Sequence, residues 1–148
     1  MRAVVQRVSL ASVNINGKIT ASIGQGLVVL LGITHSDNSK CAEGLASKIL
    51  GLRIFADTEG KMNLSVQEIG GSILIISNFT LYANSNKGFR PNFMEAAKPE
   101  IAEPLYIYFI DYLRSHTSVE IQTGVFGAMM DVSFTNNGPV TIILENKA

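Results

Sequence analysis

The chain has 148 residues, of which 47% are hydrophobic and 16% are charged, and this excludes intrinsic disorder because so much apolar surface offsets the entropy lost on folding. The length predicts one domain spanning residues 1–148. Twelve Lys and Arg residues balance twelve Asp and Glu residues, which excludes a protein that coats nucleic acid through a global positive field and requires a local basic cluster instead.

The start of the chain lacks the long apolar stretch of a secretory signal, and the single cysteine, Cys41, cannot form an internal disulfide. The longest nearly apolar run, residues 27–33, is far shorter than the ~20 residues that span a bilayer. We therefore expect a cytoplasmic protein without a membrane segment. Because few charged residues are available to cover the surface, a homodimer is the simplest expected assembly.

A meander of three strands is predicted at the start of the chain, over residues 3–13, 18–23 and 27–34. Asn16-Gly17 is a hairpin signal between the first two strands.

Apolar residues then repeat at helical spacing, which predicts a helix over residues 39–52 capped by Asp37 or Ser39. Residues 53–56 are predicted to be extended. Residues 72–82 form the most apolar later segment, and we expect a strand there in the centre of the sheet.

The polar residues 83–91 predict an exposed loop, followed by a second helix that begins at Pro99 or nearer Pro104. Apolar spacing predicts that one face of this helix is buried, comprising Ile101, Leu105, Tyr108, Phe109 and Tyr112.

Three further strands are predicted over residues 119–123, 130–135 and 141–145, with residues 136–139 as a tight connection. The predicted fold is α+β, with two helices and a rolled, barrel-like, mostly antiparallel sheet.

Common catalytic motifs are absent, and His35, Cys41 and His116 are too scattered to suggest a zinc site. We predict no metal. Polar residues at 77–80 end an apolar strand, where they either face solvent or gather at the mouth of a pocket. The loop at 86–91 carries two cations and an aromatic ring, which suits RNA contact and equally suits a solvated loop.

Six segments in chain order together resemble the D-aminoacyl-tRNA deacylase family. They are MRAVVQRV at 1–8, GKMNLS at 60–65, SNFTLY at 77–82, KGFRP at 87–91, TGVFGA at 123–128 and NGPVT at 137–141. The resemblance implies a homodimer, without cofactor, that hydrolyses the ester joining a D-amino acid to the 3′ end of tRNA. It also implies activity on glycyl-tRNA mischarged on tRNA(Ala), because glycine has no side chain to reject.

The resemblance also implies which residues form the site. The catalytic segment would comprise Ser77, Asn78, Phe79 and Thr80. A Gly138-cis-Pro139 motif, braced by Arg7, would enter the active site of the other subunit and reject L-amino acids.

Phe126 and Met130 would lie at the adenosine end of the family's pocket. A basic cluster of Arg2, Lys87 and Arg90, with Lys98 beside it, is the predicted contact with the acceptor end of tRNA.

Thr80 has no neighbouring base in the sequence, and a threonine nucleophile requires one. We therefore favour attack by water, with backbone N–H groups near Phe79 and Thr80 holding the ester carbonyl oxygen and a ribose hydroxyl orienting the water. Three positions depart from the family pattern: Asn78 stands where Gln is usual, Phe89 where a second Arg is common, and Met129 where Asp is usual.

Two alternatives belong to other functional classes. A non-catalytic module for single-stranded nucleic acid would use Phe79, Phe89 and Phe126 as stacking platforms. A small-molecule esterase would use Thr80 or Ser77 as a nucleophile and form an acyl intermediate.

Overall fold

A computed structural model describes residues 1–146 of the chain. It begins with the predicted meander, whose strands are β1 (Arg2–Ile15), β2 (Lys18–Ile23) and β3 (Gly26–Gly32). Asn16 and Gly17 both have positive φ, and the pairing of Ile15 with Lys18 leaves only these two residues in the turn. The predicted hairpin is thus confirmed.

Helix α1 (Ser39–Leu50) forms as the apolar spacing predicts, but its cap differs. Asn38 is the N-cap residue, and its side chain accepts a hydrogen bond from the Cys41 N–H. Of the two predicted caps, Ser39 is the first residue of the helix, and Asp37 instead accepts from the Met1 nitrogen and from the Thr34 N–H. Its carboxylate is therefore occupied by the residue that precedes β1 and by the loop after β3.

The remaining sheet is mixed. The small strands β4 (Phe55–Ala56) and β5 (Met62–Leu64) pair with each other, whereas β6 (Ser72–Ser77) lies parallel to both β3 and β7 (Glu120–Thr123). The predicted interior position of β6 is confirmed, because β3 and β7 flank it.

The predicted strand over residues 72–82 is wrong in its second half. It ends at Ser77, and Phe79–Tyr82 form a 3₁₀ helix. Asn78 turns the chain because its side-chain oxygen accepts from the Thr80 N–H and its carbonyl accepts from the Leu81 N–H. This local bonding replaces the ladder that a longer strand would need.

Helix α2 (Pro99–His116) begins at the earlier of its two predicted starts and contains Pro104. The helix tolerates this proline because Pro104 and Glu100 face solvent, where water can satisfy the Glu100 carbonyl. The predicted face is rotated by one residue: Ile101 and Tyr108 are exposed, and the buried residues are Ala102, Tyr106, Phe109, Ile110 and Leu113.

The last two predicted strands are one strand, β8 (Asp131–Glu145), which pairs antiparallel with β1. Gln6 pairs with Thr141 and Val8 with Asn136, so the residues at 137–140 face only Arg7. The predicted tight connection is therefore a bulge within a continuous strand.

The sheet rolls into a nearly closed barrel, as predicted, with two apolar cores. The larger core lies between the sheet and both helices, and the smaller joins residues of β1, β2, β3 and β6. Among the described residues, neither helix combines the length and apolar character that a membrane-spanning helix needs.

Candidate active site

A cavity of about 530 Å³ opens where β3 and β6 end. Its walls come from four segments: the ends of these strands, the 3₁₀ helix, residues 93–102 at the start of α2, and the turn at residues 126–129. The volume is typical of a site for a small molecule. Gly32 allows this arrangement, since a Cβ there would lie only 3.0 Å from Leu81 Cβ and 3.2 Å from the Asn78 carbonyl oxygen.

The turn at the cavity mouth is organised by Asn78. Its backbone N–H donates to the Leu31 carbonyl at 2.8 Å, which fixes the turn to β3. Its side-chain oxygen accepts from both the N–H and the hydroxyl of Thr80. Within residues 1–146, the structure contains no acceptor for the Phe79 N–H. This N–H is therefore free to donate to a ligand.

Two aromatic contacts shape the cavity walls. The rings of Phe79 and Phe93 meet edge to face at 5.1 Å, and Phe126 lies 5.6 Å from Tyr106. The Tyr106 hydroxyl donates to the Ile75 carbonyl at 3.0 Å, and burial raises the pKa of Tyr106 to about 12. Tyr106 is therefore a neutral, fixed support behind Phe126 at physiological pH.

The cavity lining contains no ionisable side chain among the described residues, and Ser77 and Asn78 are its only polar side chains. In the same part of the chain, no three His, Cys, Asp or Glu side chains lie close enough together to hold a metal ion. The lining thus offers hydrogen bonds and apolar surface but no side chain that acts as a base near neutral pH.

The predicted pocket residues divide into two groups. Ser77, Asn78, Phe79 and Phe126 line the cavity, whereas Thr80 and Met130 do not. Met130 packs against the smaller core and lies near Gly124. Its neighbour Met129, which is 91% exposed, lines the cavity instead.

Sequence reasoning missed the wall contributed by the segment before α2 and by the first turn of that helix, which comprises Phe93, Ala96, Ala97, Pro99 and Ala102. Phe93 offered a usable signal, since an aromatic residue follows a polar loop there. The alanines offered none, because small residues at a helix start are equally common in packed cores.

The bulge of β8 is separate from this cavity. Gly138 has a φ of 125° and is followed by a cis peptide bond to Pro139, and both residues are exposed. Arg7 donates from Nε to the Asn137 carbonyl at 3.1 Å and from Nη1 to the Ile54 carbonyl at 2.6 Å. A Cβ at Gly138 would lie 2.9 Å from Arg7 Nη2, so the guanidinium packs directly against this glycine.

The three predicted RNA-contact residues differ in their surroundings. Arg2 pairs with Glu145, donates to the Leu81 carbonyl at 2.6 Å and stacks over Tyr82, so it supports the 3₁₀ helix. Lys87 and Arg90 are exposed, and neither side chain has a hydrogen-bond or ion-pair partner in the described part of the chain.

The family model for D-Tyr-tRNA(Tyr) deacylase matches residues 4–145. The chain belongs to this family. A relative named D-aminoacyl-tRNA deacylase, from Desulfatibacillum aliphaticivorans, is 55% identical over 99% of this chain and 100% of its own. Another of the same name, from Thermus aquaticus, is 54% identical over 99% of this chain and 95% of its own. The family resemblance drawn from the six segments is therefore confirmed.

Two solved structures share the fold of this family member. One, named c-Myc DNA Unwinding Element Binding Protein, is 45% identical, with a TM-score of 0.95 and full coverage of both chains (100%). The other, described as a probable eukaryotic D-amino acid tRNA deacylase, is 18% identical with a TM-score of 0.83 over 98% of each chain. The second likeness concerns the fold alone.

Proposed function

We propose that this protein hydrolyses D-aminoacyl-tRNA to a free D-amino acid and tRNA. Its family membership and the names of its close relatives support this activity. The observation that carries the proposal is the cavity, whose lining includes Phe79, a residue with a free backbone N–H, and no ionisable side chain among the described residues. An activated ester needs positioning and stabilisation of the oxyanion more than it needs a charged catalyst.

In the proposed reaction, a water oxygen attacks the ester carbonyl carbon and the Phe79 N–H donates to the developing oxyanion. The bond between that carbon and the ribose 3′ oxygen then breaks. The 3′ oxygen takes one proton from the attacking water, and the second proton is released as the amino acid becomes a carboxylate. A ribose hydroxyl of the substrate orients the water, since the described cavity lining supplies no side-chain base.

Thr80 does not act as the nucleophile in this proposal. Its hydroxyl donates to the Asn78 side-chain oxygen, and an amide oxygen cannot accept the proton fully as a nucleophile is formed. The Thr80 N–H is also engaged by Asn78. Of the two backbone donors that the sequence suggested, Phe79 is therefore the better placed for the oxyanion.

Stereoselection is proposed to come from Gly138 and Pro139 of a second copy in a homodimer. Both residues are exposed on a bulge that projects from β8 and is braced by Arg7. Backbone atoms entering a neighbouring cavity can exclude an L side chain by shape, whatever its chemistry. A D side chain would point away from them, and glycine would be accepted.

The acceptor end of tRNA is proposed to contact the loop that carries Lys87 and Arg90. Both cations are exposed, and Phe93 connects the end of this loop to the cavity wall through its contact with Phe79. With a net charge of zero, the protein would make few phosphate contacts, so binding should depend only mildly on salt.

The decisive experiment compares hydrolysis of D-tyrosyl-tRNA, L-tyrosyl-tRNA and glycyl-tRNA(Ala) by the purified protein. We expect release of D-tyrosine and glycine and retention of the L ester. Protection of all three esters would contradict the proposal. Equal hydrolysis of the D and L esters would support the esterase activity but contradict the proposed stereoselection.

A second candidate function is DNA binding, because one similar structure is named c-Myc DNA Unwinding Element Binding Protein. In that case single-stranded DNA should bind tightly and tRNA esters should remain intact. A competition experiment with unlabelled single-stranded DNA separates the two functions, because an enzyme specific for the acceptor end should retain its ester hydrolysis.

A further inference from the structure

One segment of the family pattern, GKMNLS at residues 60–65, lies outside the cavity and has no role in the proposed function. It contains strand β5, which forms a small two-stranded sheet with β4. Phe55 pairs with Leu64 in this sheet. The segment therefore lies beside the chain that immediately precedes β4.

Asn63 and Arg53 hold these two chain segments together by their side chains. Arg53 Nε donates to the Asn63 carbonyl at 2.8 Å, and its Nη2 donates to the Asn63 side-chain oxygen. A guanidinium that binds one residue through two donors is fixed in orientation as well as in position. The backbone at residue 53 is thus fixed relative to β5.

The next residue, Ile54, links this contact to the bulge of β8. Its side chain is buried, and its carbonyl accepts from Arg7 Nη1 at 2.6 Å. The same guanidinium donates to the Asn137 carbonyl and packs on Gly138. Hydrogen bonds from Arg53 to Asn63 and from Arg7 to Ile54, joined by the peptide bond between Arg53 and Ile54, therefore connect Asn63 to the residues proposed to exclude L-amino acids.

We propose that Asn63 is a positioning residue for stereoselection: through Arg53 and the Ile54 carbonyl, it holds Arg7 against the bulge. This inference rests on the proposed function. Arg7 has a long, flexible side chain, and the Ile54 carbonyl is the support that it contacts on the side away from the bulge. A displaced carbonyl would let the guanidinium shift, and the bulge would lose its fixed orientation.

The test is the ratio of kcat/KM for D-tyrosyl-tRNA to that for L-tyrosyl-tRNA. We expect Asn63→Ala to lower this ratio about tenfold, the factor that corresponds to ~1.4 kcal/mol. Arg53→Met should lower the ratio at least as far, because it removes both hydrogen bonds to Asn63, whereas Asn63→Ala retains the bond to the backbone carbonyl. The double variant should match Arg53→Met, because that single change already removes every hydrogen bond between the two residues.

Lys61→Ala is the matched control, since this exposed side chain in the same turn pairs only with Glu59 in the described structure. It should leave the ratio unchanged. Equal losses for both esters in Asn63→Ala and Arg53→Met, with the ratio preserved, would overturn the inference. If thermal unfolding shows that Asn63→Ala does not fold, Arg53→Met carries the same test, because Arg53 is exposed.

Failure of the proposed function gives a different result. If the wild-type protein does not hydrolyse D-tyrosyl-tRNA, the proposed function itself is wrong. If the wild type hydrolyses that ester selectively and both variants retain the full ratio, only the role of Asn63 is wrong.

Discussion

The cavity and the bulge of β8 are supported in different ways. The cavity is enclosed within one chain: Asn78 bonds to β3 and to Thr80, and Tyr106 supports Phe126 from the core. The residues at 137–139 are exposed, and they are held by the Arg7 guanidinium and by the Asn136 side chain, which accepts from the Val140 N–H across the bulge. The comparison indicates that one protomer can form the reaction site alone, whereas the proposed stereochemical filter acts only on a neighbouring chain.

The largest expected effect comes from a substitution that acts on the bulge rather than on the cavity. Arg7→Ala removes two charge-assisted hydrogen bonds to carbonyl groups, each contributing ~1.5–3 kcal/mol. We expect the D/L ratio of kcat/KM to fall about 100-fold, since that factor corresponds to ~2.8 kcal/mol. Steady-state hydrolysis of D- and L-tyrosyl-tRNA measures the change.

Arg90→Ala provides the control for this substitution. Arg90 is exposed on the loop outside both regions, so its loss should lower kcat/KM for the D and L esters by the same factor. An Arg7→Ala protein that is folded and still rejects L-tyrosyl-tRNA fully would show that the bulge does not need its brace.

The Thr80 hydroxyl, in the 3₁₀ helix beside the cavity, should contribute much less to the rate of hydrolysis. Thr80→Val removes a hydroxyl that donates only to Asn78, so we expect kcat to fall by no more than about tenfold, as for loss of one ordinary hydrogen bond. Thr80→Ser, which retains the hydroxyl, is the control. Activity at background in a folded Thr80→Val protein, or an acyl-Thr80 adduct in the wild type, would contradict attack by water.

The support that Tyr106 gives to the cavity wall should be measurable as a change in the free energy of unfolding at alkaline pH. Tyr106→Phe leaves the Ile75 carbonyl bonded to the Gly124 N–H, so the expected loss at pH 8 is only ~1 kcal/mol. The pKa of Tyr106 is raised to about 12 in the folded protein. Its contribution is therefore complete below the unfolded value near 10, and it is lost as pH rises toward 12.

The free energies of unfolding of the wild type and Tyr106→Phe should consequently converge with rising pH. At pH 11 the wild type should have lost ~1.4 kcal/mol through Tyr106, which cancels its advantage. Urea unfolding at pH 8 and pH 11 measures both differences. A constant difference between the two proteins would contradict the buried, neutral state of the Tyr106 hydroxyl.

The sequence could predict features that depend on neighbouring residues and could not predict those that depend on contacts between distant segments. Local patterns sufficed for the Asn16-Gly17 hairpin and for α1. They left residues 77–80 either facing solvent or at a pocket mouth, and only the family resemblance assigned these residues to the site. Non-local pairing decided the rest. The signals in NNGP at 136–139 are those of a turn, and only the pairing of β1 with both flanking segments makes them a bulge.

The face of α2 shows a second limit of the sequence. Two overlapping sets of apolar residues fit helical spacing, and packing in the larger core selects the set containing Ala102 and Tyr106. Tyr106 can be buried because Ile75 accepts its hydroxyl, a contact between residues distant in the chain. Met129 rather than Met130 lines the cavity for a similar reason, since Met130 is taken up by the smaller core.

The smallest expected effect concerns the loop at residues 83–91, where Phe89 is fully exposed between Lys87 and Arg90. Phe89→Arg adds a third cation there, so the slope of log Kd against log salt should steepen by about one unit if this tip meets phosphate. Between 50 and 200 mM salt, this equals a further three- to fourfold loss of affinity, approximately. Phe89→Gln removes the ring without adding charge and should leave the slope unchanged. Binding of a tRNA acceptor minihelix measures both, and an unaltered slope in Phe89→Arg would place the RNA away from this loop.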